Sequence, residues 1–589
     1  EHYGKRSRDR DRKALSASII SIQRKMNITQ QVNLTAGILA LLPGLKTTAQ
    51  NQQSAQHPNI IYIMSDDHAY QAISAYGSDI SKLAPTPNID RIAKAGVTFD
   101  QAFVENSLST PSRACTITGL YSHQNGQEQL NEGIDTTKVF VSELLQQCGY
   151  QTGLIGKWHI PCTPKGFDYY HIYNGQGEYY NPQFKGTDTG GRYVQEQGYS
   201  ADLVASHAKD FLDHRDKSKP FFLMVHFKAP HRNQMPNLKY LGLFDDVTFP
   251  LPATFYDDYA TRCSAARTQR MSITKDLELI QDLKVVQMKD SLKDPYNQEF
   301  SWMCYRVGVE RMTPEQRAAW NRYYIPRGEQ FINRHLTGNA LSEWKYQAYM
   351  RDYLACVRSV DDNVGQILDY LKANGLDSNT VIIYTSDQGF YLGEHNWFDK
   401  RFMYEQSLRT PLLMAWKGHI NPGQHCSAMV QNIDYAPTFL QLAGGKKTGE
   451  MSGRSLTEVW NGKTPADWRK SIYYHYYDYP AFHQVRRHDG VRTERYKLIH
   501  FYGKGGHRAE TRWYQTDPKT TEHRILQMLR KLDYTRDSDP DIDSWELYDL
   551  KADPNEVNNI FGQPGTEKIT KDLKSMLNKY RKDLKVKEY

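Results

Sequence analysis

Short apolar runs rich in branched side chains recur along the chain, and stretches with helical spacing separate them. Residues 59–64 (NIIYIM) are apolar without alternation, the pattern of a parallel strand buried on both faces. Residues 97–104, 151–155, 221–226 and 381–385 read as further strands. Residues 87–95, 139–147, 201–212 and, longest, 349–374 carry apolar side chains at three- and four-residue intervals and predict helices. Strands alternating with helices predict an α/β fold, a large mixed sheet sandwiched by helices. Residues 261–342 turn charged and helical without strand signals, and read as an insertion beside the cleft. From about residue 468 the pattern changes to aromatic, antiparallel-looking segments at 471–479, 491–493, 496–502 and 545–550. Helical spacing at 521–532 and 568–584 accompanies them and completes a smaller C-terminal α+β subdomain. The body thus divides into 50–467 and 468–589. No apolar run is long enough to span a bilayer, and no internal repeat is visible.

Composition changes this picture in three places. The net charge of +7 is concentrated at the start, where residues 1–25 carry eight basic and three acidic side chains. The remaining excess is too small to indicate a nucleic-acid partner. Residues 34–45 (LTAGILALLPGL) are an apolar run too short for a membrane span, followed by small residues at Thr47, Thr48 and Ala49. That is a signal-peptide pattern within 26–49, and it predicts a leader at 1–49 and export to a periplasm or beyond. The seven cysteines are scattered, with neither metal-binding spacing nor a disulfide framework. The 40 tyrosines suit packing, and also stacking against the C–H faces of sugars.

Chemistry gathers where strands end. The run at 59–64 leads directly into Ser65-Asp66-Asp67-His68, and the run at 381–385 into Ser386-Asp387-Gln388-Gly389. Adjacent carboxylates at the carboxyl end of buried strands repel unless a cation sits among them, and ligands bind at that edge of open α/β sheets. Asp66, Asp67, Asp387 and Gln388 would form an all-oxygen site suited to Ca²⁺ or Mg²⁺ rather than Zn²⁺. Further cations follow other strands: Lys157 and His159 in Gly-Lys-Trp-His, Lys228 and His231 in Lys-Ala-Pro-His, and Lys400 beyond Gly393-Glu394-His395. Together they suit a doubly negative tetrahedral ligand. Residues 109–119 (STPSRACTITG) place Ser109 and Arg113 at a predicted helix N-terminus, which also favours an anion.

Residues 109–119 have the form Cys/Ser-x-Pro-Ser-Arg-x-x-x-x-Thr-Gly and resemble the signature of the type I sulfatases. The aspartate pair, Gly-Lys-Trp-His, Pro-His, Ser-Asp-Gln-Gly, Gly-Glu-His…Asp-Lys and the closing WELYDL segment at 545–550 occur in that family's order, over roughly residues 58–560. The resemblance implies an alkaline-phosphatase-like fold and a sulfuric ester hydrolase. It implies that Ser109 is oxidised to Cα-formylglycine and that one Ca²⁺ is held by Asp66, Asp67, Asp387, Gln388 and residue 109. Arg113 and Lys157 would hold the nucleophile's oxygen, His159 its other hydroxyl, and His231 and Lys400 the sulfate and the bridging oxygen. Gln stands at 388 where Asn or His is commoner. Ser at 109 in place of Cys implies an anaerobic radical-type maturase, unless Ser109 itself replaces a cysteine.

The segments GQGEYYNP at 175–182 and SDQGFYLGEH at 386–395 are most similar to bacterial carbohydrate sulfatases of the N-acetylglucosamine-6-sulfatase type. A sulfated saccharide, 6-O-sulfated N-acetylglucosamine in glycosaminoglycan or mucin fragments, is the substrate this implies. Sugars sulfated at 2-O or 3-O, or algal polysaccharides, are the alternative within the family. A phosphoester or phosphonate hydrolase, and a sulfated-glycan binding protein with unmodified Ser109, are the alternatives outside it. His483, Arg487 and His488 lie in a polar run between aromatic segments, and read either as sugar-binding residues over the cleft or as a satisfied surface loop.

Overall fold

The apolar run at 59–64 lies in the interior of a ten-stranded sheet in the computed structural model, which describes residues 57–130, 133–292, 296–506, 527 and 538–587. The leader expected at 1–49 and all but residue 527 of the helix expected at 521–532 lie outside the described residues. In chain order the strands begin with β1 (Asn59–Ser65), β2 (Val97–Phe99), β3 (Ala102–Phe103), β4 (Gln151–Gly156), β5 (Tyr169–Tyr173) and β6 (Gln183–Gly186). They continue with β7 (Val194–Gln195), β8 (Phe221–Phe227), β9 (Thr380–Ser386), β10 (Tyr391–Leu392), β11 (Phe398–Asp399) and β12 (Leu412–Ala415). Then come β13 (Gln424–Cys426), β14 (Val430–Gln431), β15 (Ser471–Tyr476), β16 (His488–Thr493), β17 (Tyr496–Gly503) and β18 (Ile542–Asp549).

The large sheet has the order β13-β2-β12-β9-β1-β8-β4-β5-β6-β7. Its centre, β9 to β5, is parallel, and antiparallel strands β12 and β6 flank it. Because β1 is covered on both sides, its residues divide between two cores. Ile60, Tyr62 and Met64 pack with helices Ser109–Thr118, Val141–Gln147 and Tyr435–Leu442. Ile61 and Ile63 pack with helices Ile89–Ala95, Ser200–His214 and Gly338–Ala373. Each isoleucine of β1 is fully buried, worth about 1.5–3 kcal/mol relative to exposure. Register then aligns the strand ends: Ser65 lies opposite both Ser386 and Phe227, and Gly156 opposite His226. The chain therefore leaves β1, β9, β8 and β4 at one level of the carboxyl edge.

Two expected elements differ. The strand expected at 97–104 breaks at a turn over Asp100 and Gln101. β2 joins the large sheet, while β3 pairs with β14. The long helix starts at Gly338, well before residue 349. Its first turns carry Lys345, whose polarity reads as solvated. Lys345 is instead buried, with Nζ donating to the carbonyls of Thr274 and Leu277 at 3.0 and 2.8 Å. Within 261–342 the described residues form helices at Ala265–Thr268, Trp302–Glu310 and Pro314–Asn333 and no strand.

The second sheet is antiparallel, in the order β15-β16-β17-β18. Helix Glu567–Asp583 covers it through Leu573 and Leu577, and the same cluster takes in Cys115 of helix Ser109–Thr118. All seven cysteines are free thiols. No helix among the described residues is long and apolar enough to cross a membrane.

Candidate active site

Residues from each of the four level strand ends meet at the start of helix Ser109–Thr118. Asp67 takes a left-handed backbone (φ 65°), which an aspartate tolerates, and its N–H donates to Asp387 Oδ1 at 3.1 Å. That bond ties the end of β1 to the end of β9. The helix carries Pro111 in its first turn, where a missing N–H leaves no gap, and ends in left-handed Gly119. Its first side chain, Ser109, is 2% exposed, and its Oγ donates to Asp66 Oδ1 at 3.1 Å. Ser112 Oγ donates to the carbonyl of Asp387 and accepts from Asn432 Nδ2, fixing the helix against the same loop. Arg113 spans the strand ends. Its Nε and Nη2 donate to Asp387 Oδ2 at 3.2 and 3.1 Å, and its Nη1 to the Lys157 carbonyl at 2.8 Å.

Three buried carboxylates are matched by buried cations. Lys157 Nζ lies on Asp66 Oδ2 and donates to Gln176 Oε1 at 2.5 Å. Lys400 Nζ donates to both oxygens of Asp67, at 2.6 and 2.7 Å. Lys228, the residue after β8, is buried beside the Gln176 carbonyl. His231 Nε2 stands 3.8 Å from Asp67 Oδ2, and its Nδ1 donates to the Arg232 carbonyl at 2.5 Å. His159 Nδ1 is 3.4 Å from Thr110 Oγ1.

The charges are unevenly settled. Burial pushes Asp67 up to about 8, opposed by Lys400 and reinforced by Asp66 and Asp387. Burial and Asp66 likewise raise Asp387. Asp66 is buried too, yet Lys157 and Arg113 hold it well below the usual carboxylate range. Burial lowers Lys157 to about 8. Burial and the surrounding lysines push His159 and His231 well below the imidazole range. Repulsion among the three carboxyls is therefore only partly relieved by the side chains present.

The donor set fits a hard cation. Donor atoms of Asp66, Asp67 and His231 lie within 4.8 Å of one another. Gln388 is fully buried; its Nε2 donates to Asp67 Oδ1, while its Oε1 has no hydrogen-bond partner. Exchanging the amide's two ends, which leaves its shape unchanged, turns that oxygen onto the carboxylates. Carboxylate, amide and hydroxyl oxygens are what Ca²⁺ takes.

Asp66, Asp67, Ser109, Arg113, Lys157, His159, His231, Asp387, Gln388 and Lys400 thus converge. Of the three residues expected over the cleft, His488 and Arg487 are enclosed by their own surroundings, while His483 borders the loop that carries Lys400. His488 is fully buried among Phe402, Tyr474, Tyr476 and Phe501. Its Nδ1 faces the Arg486 carbonyl at 2.7 Å and its Nε2 accepts from Met403 N–H at 3.1 Å, so neither nitrogen is left for a sugar. Arg487 is 6% exposed, with Nε on the Tyr477 carbonyl at 3.4 Å. His483 is closer. Its Nδ1 meets the Arg270 carbonyl at 2.6 Å and its Nε2 meets Asp399 Oδ2 at 3.3 Å, so it props the residue before Lys400. Sequence reasoning missed Gln176, Asn432 and Asp399 in these supporting places. Lys228 was expected among the cations that follow strands, and its Nζ lies 3.4 Å from the Gln176 carbonyl.

Comparison with known proteins gives two family matches. The model described as sulfatase matches residues 58–445. The model described as N-sulphoglucosamine sulphohydrolase, C-terminal, matches residues 393–528 and 534–583. The chain is 44% identical to the N-acetylglucosamine-6-O-sulfatase of Bacteroides thetaiotaomicron, over 97% of this chain and 94% of that one. It is 24% identical to human N-acetylglucosamine-6-sulfatase, over 86% and 81%. Among solved structures it resembles a protein in complex with its substrate D-glucosamine-2-N,6-O-disulfate, with TM-score 0.79, 44% identity, and 90% and 98% coverage. It shares only the fold with the phosphonate monoester hydrolase of Silicibacter pomeroyi, with TM-score 0.59, 17% identity, and 89% and 95% coverage.

Proposed function

Because the chain belongs to the sulfatase family, we propose that it removes the 6-O-sulfate of N-acetylglucosamine from glycans, through formylglycine at position 109 and one Ca²⁺. It is a sulfatase, an enzyme that hydrolyses sulfate esters. The observation that carries the mechanism is Ser109 Oγ, buried at a helix start 3.1 Å from Asp66, within a cluster that also holds Lys157, Lys400 and Arg113. The substrate rests on near-full-length similarity to an N-acetylglucosamine-6-O-sulfatase.

Asp66, Asp67, Asp387, the Gln388 amide oxygen and residue 109 would hold the Ca²⁺. When bound, the ion supplies a Lewis acid toward the sulfuryl oxygens. Formylglycine, made from Ser109 by an anaerobic radical-type maturase, supplies a hydrated aldehyde whose hydroxyl is the nucleophile. Arg113 and Lys157 orient residue 109 and balance the negative charge there. Lys400, held at the bottom of the site by Asp67, takes a sulfuryl oxygen. His231, anchored through Nδ1–H to the Arg232 carbonyl, acts in its imidazolium form, which the anionic sulfate ester favours: Nε2–H turns to the bridging oxygen, gives the alcohol the proton it needs to leave, and is left with a lone pair. His159 accepts the proton released at residue 109 as sulfate departs. Export through the 26–49 leader, and a C-terminal subdomain from 468 that closes one side of the cleft, complete the proposal.

The test is the enzyme coexpressed with a serine-accepting maturase, supplied with Ca²⁺ and offered a panel of sulfated monosaccharides, with sulfate release measured. Release from N-acetylglucosamine-6-sulfate, together with a residue-109 peptide lighter than serine by two hydrogens, is the expected result. Cleavage confined to 2-O- or 3-O-sulfated sugars refutes the substrate. Activity in protein whose Ser109 is unmodified refutes the nucleophile.

A further inference from the structure

At the opposite edge of the large sheet, away from the strand ends around Ser109, two histidines and a glutamate from three elements come together. His171 sits on β5, Glu196 directly follows β7, and His207 lies on helix Ser200–His214. The donor atoms of all three lie within 4.8 Å of one another. His171 Nε2 is 2.6 Å from Glu196 Oε1, and His207 Nε2 is 2.7 Å from Glu196 Oε2. The imidazole centroids are 4.0 Å apart, and the Phe184 ring packs against both.

The outward nitrogens repeat the arrangement. His171 Nδ1 is 3.2 Å from Asp188 Oδ1, and His207 Nδ1 faces Asp210 Oδ2 at 3.8 Å. Asp188 is thus within hydrogen-bond reach of the His171 outer nitrogen, as the orienting partner of a metal-bound histidine is, while Asp210 stands farther from His207. The inner nitrogen of each ring points at the shared Glu196. Protons on the two Nε2 atoms let both rings donate to Glu196; in the Nδ1–H tautomers the two Nε2 lone pairs face the carboxylate instead, and a cation among the three groups takes the place of those protons. Three carboxylates against two imidazoles leave a charge deficit even if both rings are protonated, and a divalent ion supplies that charge in one place. Gly186 lets Asp188 close on His171 Nδ1, because a Cβ there would fall on Asp188 Oδ1 and the Tyr170 carbonyl.

We propose that His171, His207 and Glu196 form a transition-metal site separate from the sulfatase centre, with Zn²⁺ as the ion it takes. Two imidazoles and one carboxylate are borderline-soft donors suited to Zn²⁺, whereas the oxygen set around Asp66 is not. His171 is 3% exposed, while His207 and Glu196 are 17% and 24% exposed, which gives the ion an entrance from solvent. Its role is structural. It ties β5 and the edge strand β7 to helix Ser200–His214.

Zn²⁺ and Co²⁺ titrations of the full chain, stripped with EDTA and returned to excess Ca²⁺, test this site. One tightly bound Zn²⁺ per chain is expected, with a visible Co²⁺ spectrum of low coordination number and a rise in thermal midpoint. Asp387→Ala should retain all three signals, because it alters the oxygen site alone. His207→Gln and the isosteric Glu196→Gln, both at partly exposed positions, should weaken Zn²⁺ by at least about tenfold and remove the Co²⁺ spectrum. Sulfate release under Ca²⁺ should be unchanged in both. Zn²⁺ affinity and Co²⁺ spectrum equal in wild type and Glu196→Gln, or no bound Zn²⁺ in the wild type, overturns the proposal.

Discussion

Replacing His231 by alanine separates proton delivery from every other part of the mechanism. The ring touches little: Nδ1 holds the Arg232 carbonyl at 2.5 Å, Nε2 stands 3.8 Å from Asp67, and the side chain is 17% exposed. Losing one hydrogen bond to the backbone costs roughly 1 kcal/mol, about 2 °C or less in a chain of this size. The effect on turnover depends on the leaving group. An alkoxide departing from a sugar needs its proton, and a positioned general acid is worth about 10²–10⁴-fold, or roughly 3–5 kcal/mol. A nitrophenolate leaves without one, so an aryl sulfate should slow by less than about tenfold. The assay compares kcat/KM for N-acetylglucosamine-6-sulfate and nitrophenyl sulfate in wild type and His231→Ala, with thermal midpoints as the control. A ratio of the two losses of at least about tenfold is expected. Equal losses on both substrates would show that His231 binds sulfate without donating a proton.

Ser109→Ala should release no sulfate while melting within about 2 °C of wild type, and Ser109→Cys should work only with a maturase that oxidises cysteine; turnover by the alanine variant would falsify the nucleophile. Asp387→Ala and EDTA-treated wild type should both be inactive, with Ca²⁺ restoring only the wild type, as sulfate release before and after Ca²⁺ addition will show. Glu105 gives a pH dependence away from the ion site. Burial pushes it up to about 7, although Cys115 and Ser122 hydrogen-bond to its Oε1. The native state then keeps a proton that the unfolded chain releases near pH 4.3, so stability falls as pH rises from about 4.3 to 7, by roughly 4 kcal/mol. Glu105→Gln should lose that slope in urea unfolding measured at pH 5 and pH 8, and an unchanged slope sinks the assignment. Gly156 adopts φ 90°, and a Cβ there would fall on the His226 carbonyl. Gly156→Ala should therefore misplace Lys157 and cut kcat by more than about tenfold, along with the melting temperature.

The centre of this fold was legible because parallel strands covered on both faces must be continuously apolar. β1, β8 and β9 therefore stand out as unbroken runs. Polar residues immediately beyond such runs are also informative, since the chain must leave the core there; Asp66, Lys157 and Asp387 were found that way. Register is not written in any one run. That Ser65 pairs with both Ser386 and Phe227 depends on contacts across more than a hundred residues, so the grouping around Ser109 needed a family signature to be seen. The polar run holding Arg487 and His488 misled for a local reason. Aromatic side chains on β15 and β17 close over it, and main-chain groups occupy the His488 nitrogens that composition would assign to a ligand. His171, Glu196 and His207 are invisible to spacing rules, because each comes from a different element.

Ser109 lies 2% exposed within a packed helix, and its neighbours Thr110, Ser112 and Arg113 are as deeply buried. If Ser109 is oxidised as proposed, the oxidising enzyme has to reach a side chain enclosed in this way. Once the helix has docked, those residues can be reached only by undoing the edge of the sheet. Modification and folding are thus rivals in time, and the winner is decided on each chain as it emerges. On the proposed mechanism, a chain that folds first would be sealed with serine in place, correctly shaped and inert. The active fraction of a preparation should therefore report how quickly the oxidising enzyme met the nascent chain, and no later treatment of the folded protein should raise it.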